Sequence, residues 1–329
     1  MFKKHFSGQS GQVVVIVAIL IISLFGMAAY VVDVGVIYET RRHLQTTADA
    51  AALAGAQNLP ESSDTAVAKA IEYAASHNVV ITEDDVVISA SGSLPDTIKV
   101  TPSIPDIKLY FAPILGHNTA NVGATATARV YTPTGTADLV PFGALVPEGE
   151  DPYNYFVGGQ EYIVKFGGGH GENGNFYAMD LDGFQGGGAH DYEDRIRDGY
   201  QEYLEVGDII ATETGNMSNP TKRGVDDRVG STWYSFDDLT DIDAQGNYSL
   251  KTPKTGQFVM VPVIYELINP HGWEEIEIIA FAPFIITRTT GQGNNSIVYC
   301  KFIDKALIVT EGGVTTVEPT GLRVIRLVE

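Results

Sequence analysis

The side chains whose type and spacing suit metal chemistry lie in two short stretches. His170 and His190 flank Asp180-x-Asp182, a mixed imidazole and carboxylate set that a divalent cation accepts. Asp241-Ile-Asp243-Ala-Gln245-Gly246 opens as a calcium loop does, with oxygen donors at the first, third and fifth places and glycine at the sixth. Thr252 stands at the twelfth place, where such a loop needs a bidentate glutamate. Asp-Leu-Asp-Gly equally suits a strand that ends in a turn, and the second stretch suits a hairpin. The candidate ligands are therefore Asp180, Asp182, Asp241 and Asp243, with calcium as the ion; no other cofactor is called for.

Catalytic constellations are not evident. Neither G-x-S-x-G nor H-E-x-x-H occurs, and the seven histidines are scattered. The pairs Asp226-Asp227 and Asp237-Asp238 are adjacent, so on a strand their carboxylates point to opposite faces. The glycine-dense stretches 167–175 and 183–190 lack the G-x-x-x-x-G-K-[ST] order of a phosphate loop and read as turns. The lone Cys300 excludes a disulfide framework, and its alternating neighbours make it a small core residue. The expectation is a protein that is not an enzyme.

The elements that position these residues are mostly strands. QEYIVKFG, NFYAMDL, VGDIIAT, QFVMVPVIYELI, EIEIIAFAPFIITRT, NSIVYCKFI and GLRVIRLV alternate or run apolar between Gly, Asn and Asp turns, which predicts a β-rich barrel or sandwich over 138–329. One helix interrupts it at HDYEDRIRDGYQEYL, with Tyr192, Ile196, Tyr200 and Tyr203 on a shared face. Before it, 62–132 reads as a small α/β module. A helix over Thr65 to His77 is capped by Ser63 or Asp64, and a strand puts Val122, Ala124, Ala126, Ala128 and Val130 on one face.

Ahead of both lies the longest uncharged run. Val13 to Val32 holds no charged residue, and a helix of that length reaches ~30 Å, enough to span a bilayer. The run exceeds the h-region of a secretory signal, so an uncleaved anchor over 13–32 is expected. Its pattern continues over 33–59 through Tyr30, Val34, Ile37, Leu44, Ala48, Ala51 and Gly55 at spacings of three and four, broken by Arg41. The small residues Ala48, Ala51, Ala52 and Gly55 form one stripe. It suits either close approach of a neighbouring helix or packing on the chain's own sheet. Lys3 and Lys4 precede the span and no acidic residue precedes Asp33, which places 1–12 in the cytoplasm and the rest outside. With 21 basic against 41 acidic residues the formal charge is −20, a field that repels nucleic acid and attracts cations or basic partners.

GQVVVIVAILIISLFGMAAYVVDVGVIYETRRHLQTTADAAALAGA resembles the N-terminal region of the TadE/TadG-like proteins of the tight-adherence (Flp) pilus system, above all in the order Val-Asp-Val-Gly, Tyr, Arg-Arg-x-Leu-Gln and Ala-Asp-Ala-Ala-Ala-Leu-Ala. KVTPSIPDIKLYFAPILGHNTANVGATATARV is similar to the segment that follows in that family. The resemblance implies a membrane-anchored, pilin-like structural component, a minor pilin or pseudopilin. Its partners would be the membrane and other pilin-like helices or Tad assembly proteins. Ile16 stands where pilins processed after Gly11 would carry glutamate, a departure from major pilins. The alternative is a membrane-tethered module that binds carbohydrate or calcium.

Overall fold

The computed structural model describes residues 10–167, 176–183, 188–213, 215–251, 255–267, 273–291, 295–308 and 313–328. His170, Thr252 and the first nine residues lie outside the described residues. The fold is mixed α+β: one long N-terminal helix followed by a β-rich body that includes a nearly closed, barrel-like sheet.

Helix α1 (Ser10–Ala56) is continuous, and its environment changes along it. Val13 to Ala28 is exposed throughout. From Leu44 onward Ala48, Ala51, Ala52, Ala54, Gly55 and Ala56 are buried. The chain then turns, with Asn58 and Leu59 donating to the carbonyls of Gly55 and Ala56. Helix α2 (Ser63–Ser76) packs back on α1 through Ala66, Ala70 and Ala74, which recur at i, i+4 and i+8 on one face. Its N-cap is Ser62, whose Oγ accepts from Thr65 N at 3.2 Å, so the cap lies just before the residues expected.

The two helices cover part of an eight-stranded sheet in which β1 (Val86–Ala90), β2 (Pro95–Val100), β5 (Ala126–Pro133) and the C-terminal strand Gly321–Val328 pair antiparallel. The hairpin β3 (Ser103–Lys108) and β4 (Thr119–Gly123) stands beside it. Val122, Ala124, Ala126, Ala128 and Val130 are all buried on one face, as their period of two requires. The expected single strand is nevertheless two: β4 pairs with β3 and β5 with β2, and at the break Gln45 Nε2 of α1 donates to Thr125 O at 3.1 Å. Arg129 and the buried Asp96 link β5 and β2, with Nε to Oδ2 at 3.1 Å.

The barrel-like sheet runs in the order β6 (Ala144–Val146), β8 (Phe258–Tyr265), β9 (Ala280–Thr290), β10 (Ile297–Phe302) and β7 (Glu161–Lys165). Gly143 N beside β6 donates to Val164 O of β7 at 3.1 Å and brings the two edges together. Strand β6 runs parallel to β8, so the sheet is not purely antiparallel. Both faces of β8 are buried: Val259, Val261 and Val263 enter one core and Met260 and Ile264 another. Phe156, Phe284 and Phe302 fill the first, with centroids 5.4 to 5.5 Å apart; each such pair contributes about 0.5–1.5 kcal/mol beyond area burial.

Helix α3 (Gly188–Asp198) buries Tyr192 and Ile196 but ends before Tyr200 and Tyr203. Gly199 takes φ +79°, and a Cβ there would meet Asp138. A helix not anticipated from the sequence, α4 (Ser218–Val229), crosses α3 at Gly224, where an added Cβ would lie 2.8 Å from Ile196 Cβ and 2.9 Å from Glu193 O. The strand Gly321–Val328, assigned by its position to 138–329, pairs with β5 of the preceding module, Val324 opposite Tyr131, and on its other side runs parallel to Lys305–Leu307. The two regions therefore share a strand.

Candidate functional site

Where α1 leaves its apolar stretch, one carboxylate joins it to the folded body. Asp33 Oδ1 accepts from Tyr110 N at 2.7 Å, and Oδ2 accepts from Phe111 N at 3.0 Å and Ala112 N at 2.7 Å. These three N–H groups open the short 3₁₀ turn Ala112–Leu115 at the tip of the β3–β4 hairpin. They would otherwise lack helical acceptors, so Asp33 acts as their cap from 79 residues away. Partial desolvation works against the charged form, but the three backbone donors hold the Asp33 carboxyl below its usual range. Gly26, Tyr30, Val34 and Ile37 of α1 face Phe111 and Ile114 across a groove of about 300 Å³. The seam read from Tyr30 to Gly55 is thus used within the chain, first by this tip and then by the α2 and sheet core.

The small-residue stripe belongs to the second of these. Ala48, Ala51 and Ala52 are fully buried, and a Cβ on Gly55 would meet Ile98 Cδ1, Ala66 O at 2.8 Å and Ala70 Cβ at 3.4 Å. The stripe does permit close helix approach, but the helix that approaches is α2 of the same chain.

Asp180 and Asp182 are brought together, with a cation already between them. Arg195 Nη1 lies 3.0 Å from Asp180 Oδ1, and Arg195 Nη2 pairs with Asp182 Oδ2. His190 is exposed and faces Asp194 at 3.6 Å. Asp241 and Asp243 lie elsewhere, on a hairpin. Asp243 Oδ1 accepts from Gln245 N and Asn247 N, both at 2.9 Å, which closes a turn over Gly246 at φ +92°. Desolvation opposes ionisation of Asp243, and the bonds from Asn247 and Gln245 outweigh it, holding its carboxyl low. Asp241 is exposed and 3.6 Å from Lys251. Among the described residues no three His, Cys, Asp or Glu side chains converge as a metal would need.

Lys165 and Cys300 are buried away from these loops. Lys165 Nζ donates to Ser296 O at 2.9 Å and Asn216 O at 2.5 Å, and desolvation pulls its pKa down to about 8. Cys300 is fully buried in the barrel, and desolvation pushes its thiol well above its usual value, away from the thiolate a nucleophile needs.

Fold and junction fit single-pass membrane anchoring through α1. Among the described residues α1 is the one helix long and apolar enough to cross a membrane, and it runs without a break into the core of an α+β body. Residues 11–58, which span almost all of α1 and include Asp33 and the small-residue stripe, match the family described as "Putative Flp pilus-assembly TadE/G-like". Over that stretch the chain is similar to the TadE/G-like family. No curated protein and no solved structure matches the chain.

Proposed function

We propose that this protein is a membrane-anchored structural component of a Tad/Flp-type pilus or secretion assembly, a minor pilin or pseudopilin, with its C-terminal part outside the cytoplasm. The observation that carries this reading is the continuity of α1, exposed and apolar from Val13 to Ala28 and core-forming from Leu44 to Ala56. A helix built this way transmits position and load between a bilayer and a folded body with no flexible joint. The body supplies mass and surface and its role is mechanical.

Lateral packing against other pilin-like helices falls to the exposed stretch before Asp33, because the stripe from Ala48 to Gly55 is covered by the chain itself. Lys3 and Lys4 ahead of the span support the orientation. The test is purification of surface filaments and assembly complexes from cells carrying the gene, with in-cell crosslinking from Leu20 and Leu24. Recovery of this chain crosslinked to pilin-like helices supports the reading. Its absence from filaments and assembly complexes alike overturns it.

A further inference from the structure

The tip of the β3–β4 hairpin exposes large apolar side chains beside the anchor. Tyr110 is 72% exposed, Phe111 42% and Ile114 85%. In a chain with 41 acidic residues, the stretch from Ile107 to Thr119 contains none. We propose that this tip is a second membrane-contacting element, which places Tyr110, Phe111 and Ile114 in the headgroup–acyl boundary beside α1, at a depth set by Asp33.

Three observations select lipid as the occupant. The groove beneath the tip is continuous with the anchor: Gly26, Ala29 and Tyr30 line it together with Ile114. From Asp33 back to Gly26 is seven residues, so the tip reaches ~10 Å down the helix from its outer end. Interfacial elements bury ~5–10 Å. The tip's backbone is also prepared to leave water. The N–H groups of Tyr110, Phe111 and Ala112 go to Asp33, Leu109 N to Asn118 O, Ile114 N to Phe111 O and Gly116 N to Pro113 O, while Pro113 has no N–H. Finally, Lys108 and His117 are exposed at the base of the tip, where side chains of that kind meet lipid phosphates, and tyrosine favours the same layer. With two contacts instead of one, the body cannot swivel freely about α1 and is held at a fixed angle to the bilayer.

The proposal rests on α1 being a membrane anchor, and the test reads both. Full-length protein carrying Ile114→Cys, Leu24→Cys or Val80→Cys is labelled with an environment-sensitive fluorophore and reconstituted in phosphatidylcholine–phosphatidylglycerol vesicles. Cys300 is fully buried and stays in place. The expected result is a blue shift and loss of emission at position 114 when the lipids carry nitroxides near the headgroup end of the acyl chain, with protection from aqueous iodide; Val80, 87% exposed, reports water. A label at 114 that iodide quenches as it does at 80, while lipid nitroxides in mid-chain quench 24, overturns the second contact and leaves the anchor intact. Shelter from iodide without lipid quenching at 114 also overturns it, in favour of protein on the tip. Loss of lipid quenching at 24 overturns the anchor and the proposal together.

Discussion

Asp33 and Ala112, 79 residues apart in the chain, are joined by a 2.7 Å hydrogen bond from the backbone N–H to Oδ2, and Ala112 is one of three backbone donors that fix the hairpin tip to the anchor helix. Asp33→Ala leaves Tyr110, Phe111 and Ala112 without their acceptor, so the tip should detach and the melting temperature of the full chain fall. Because the folded carboxyl titrates below its unfolded value of ~3.9, its contribution is complete above that value and is lost as pH falls through the lower folded pKa. The gap in melting temperature between the native chain and Asp33→Asn should therefore be constant above about pH 5 and close on acidification. A gap that widens on acidification would contradict this role.

Gly55 separates intramolecular packing from assembly. Gly55→Leu or Ala51→Leu places new methylenes against Ile98 and α2, and overpacking of this kind typically lowers stability by ~1–3 kcal/mol. Thermal unfolding should report the loss whether or not a partner helix is present. An unchanged melting temperature together with loss of crosslinking to a pilin-like helix would return the stripe to an assembly role.

The same contact decides where the chain can be cut. A fragment beginning at Asp33 keeps the core half of α1 and should fold to a β-rich body. One beginning at Ser62 uncovers Ala66, Ala70, Ala74, Ile98 and Ala128, and should lose the cooperative transition of that sheet. Far-UV circular dichroism with thermal melts of the two fragments checks this; equal cooperativity would contradict it.

Arg195 should matter through the charge it leaves behind. Arg195→Met isolates the buried Asp180, and breaking such a pair typically costs ~3–5 kcal/mol, partly recovered by adding Asp180→Asn. Millimolar calcium should leave the native melting temperature unchanged, since the carboxylates of Asp180, Asp182 and Asp243 already have partners. A calcium-dependent rise would contradict the hairpin and ion-pair reading of these loops.

Lys165 should give stability an alkaline dependence. Its amine is charged in the unfolded chain up to about pH 10.4 but only to about 8 when folded, so the unfolded state binds more protons between those values and stability rises with pH across them. Lys165→Met should flatten that rise, as read from urea unfolding at pH 7, 8, 9 and 10. A slope unchanged by the substitution would assign it elsewhere.

What the sequence made legible is what period alone decides. An uncharged run of twenty residues, the alternation from Val122 to Val130 and the small stripe of α1 each name an element and a face. Pairing over long range is not of this kind. Nothing local in GLRVIRLV says that it joins β5 rather than the barrel, because both sheets present an apolar face to an alternating strand. Pro220 and Gly224 break the usual signature of a helix in α4, although proline is tolerated in a first helical turn and the glycine is where Ile196 sits. The stripe's partner stayed open since small side chains suit α2 and a foreign helix equally. The Asp33 clasp was invisible for a different reason: its ligands are backbone N–H groups, which leave no mark in side-chain types.

The central claim is that one helix joins a membrane to a body lying outside it, and protease accessibility tests it most directly. On intact cells freed of their outer layers, added protease should destroy epitopes within 138–329 and leave a small membrane-bound fragment that retains the N-terminus. Protection of the C-terminal part with digestion of the N-terminus would contradict the account.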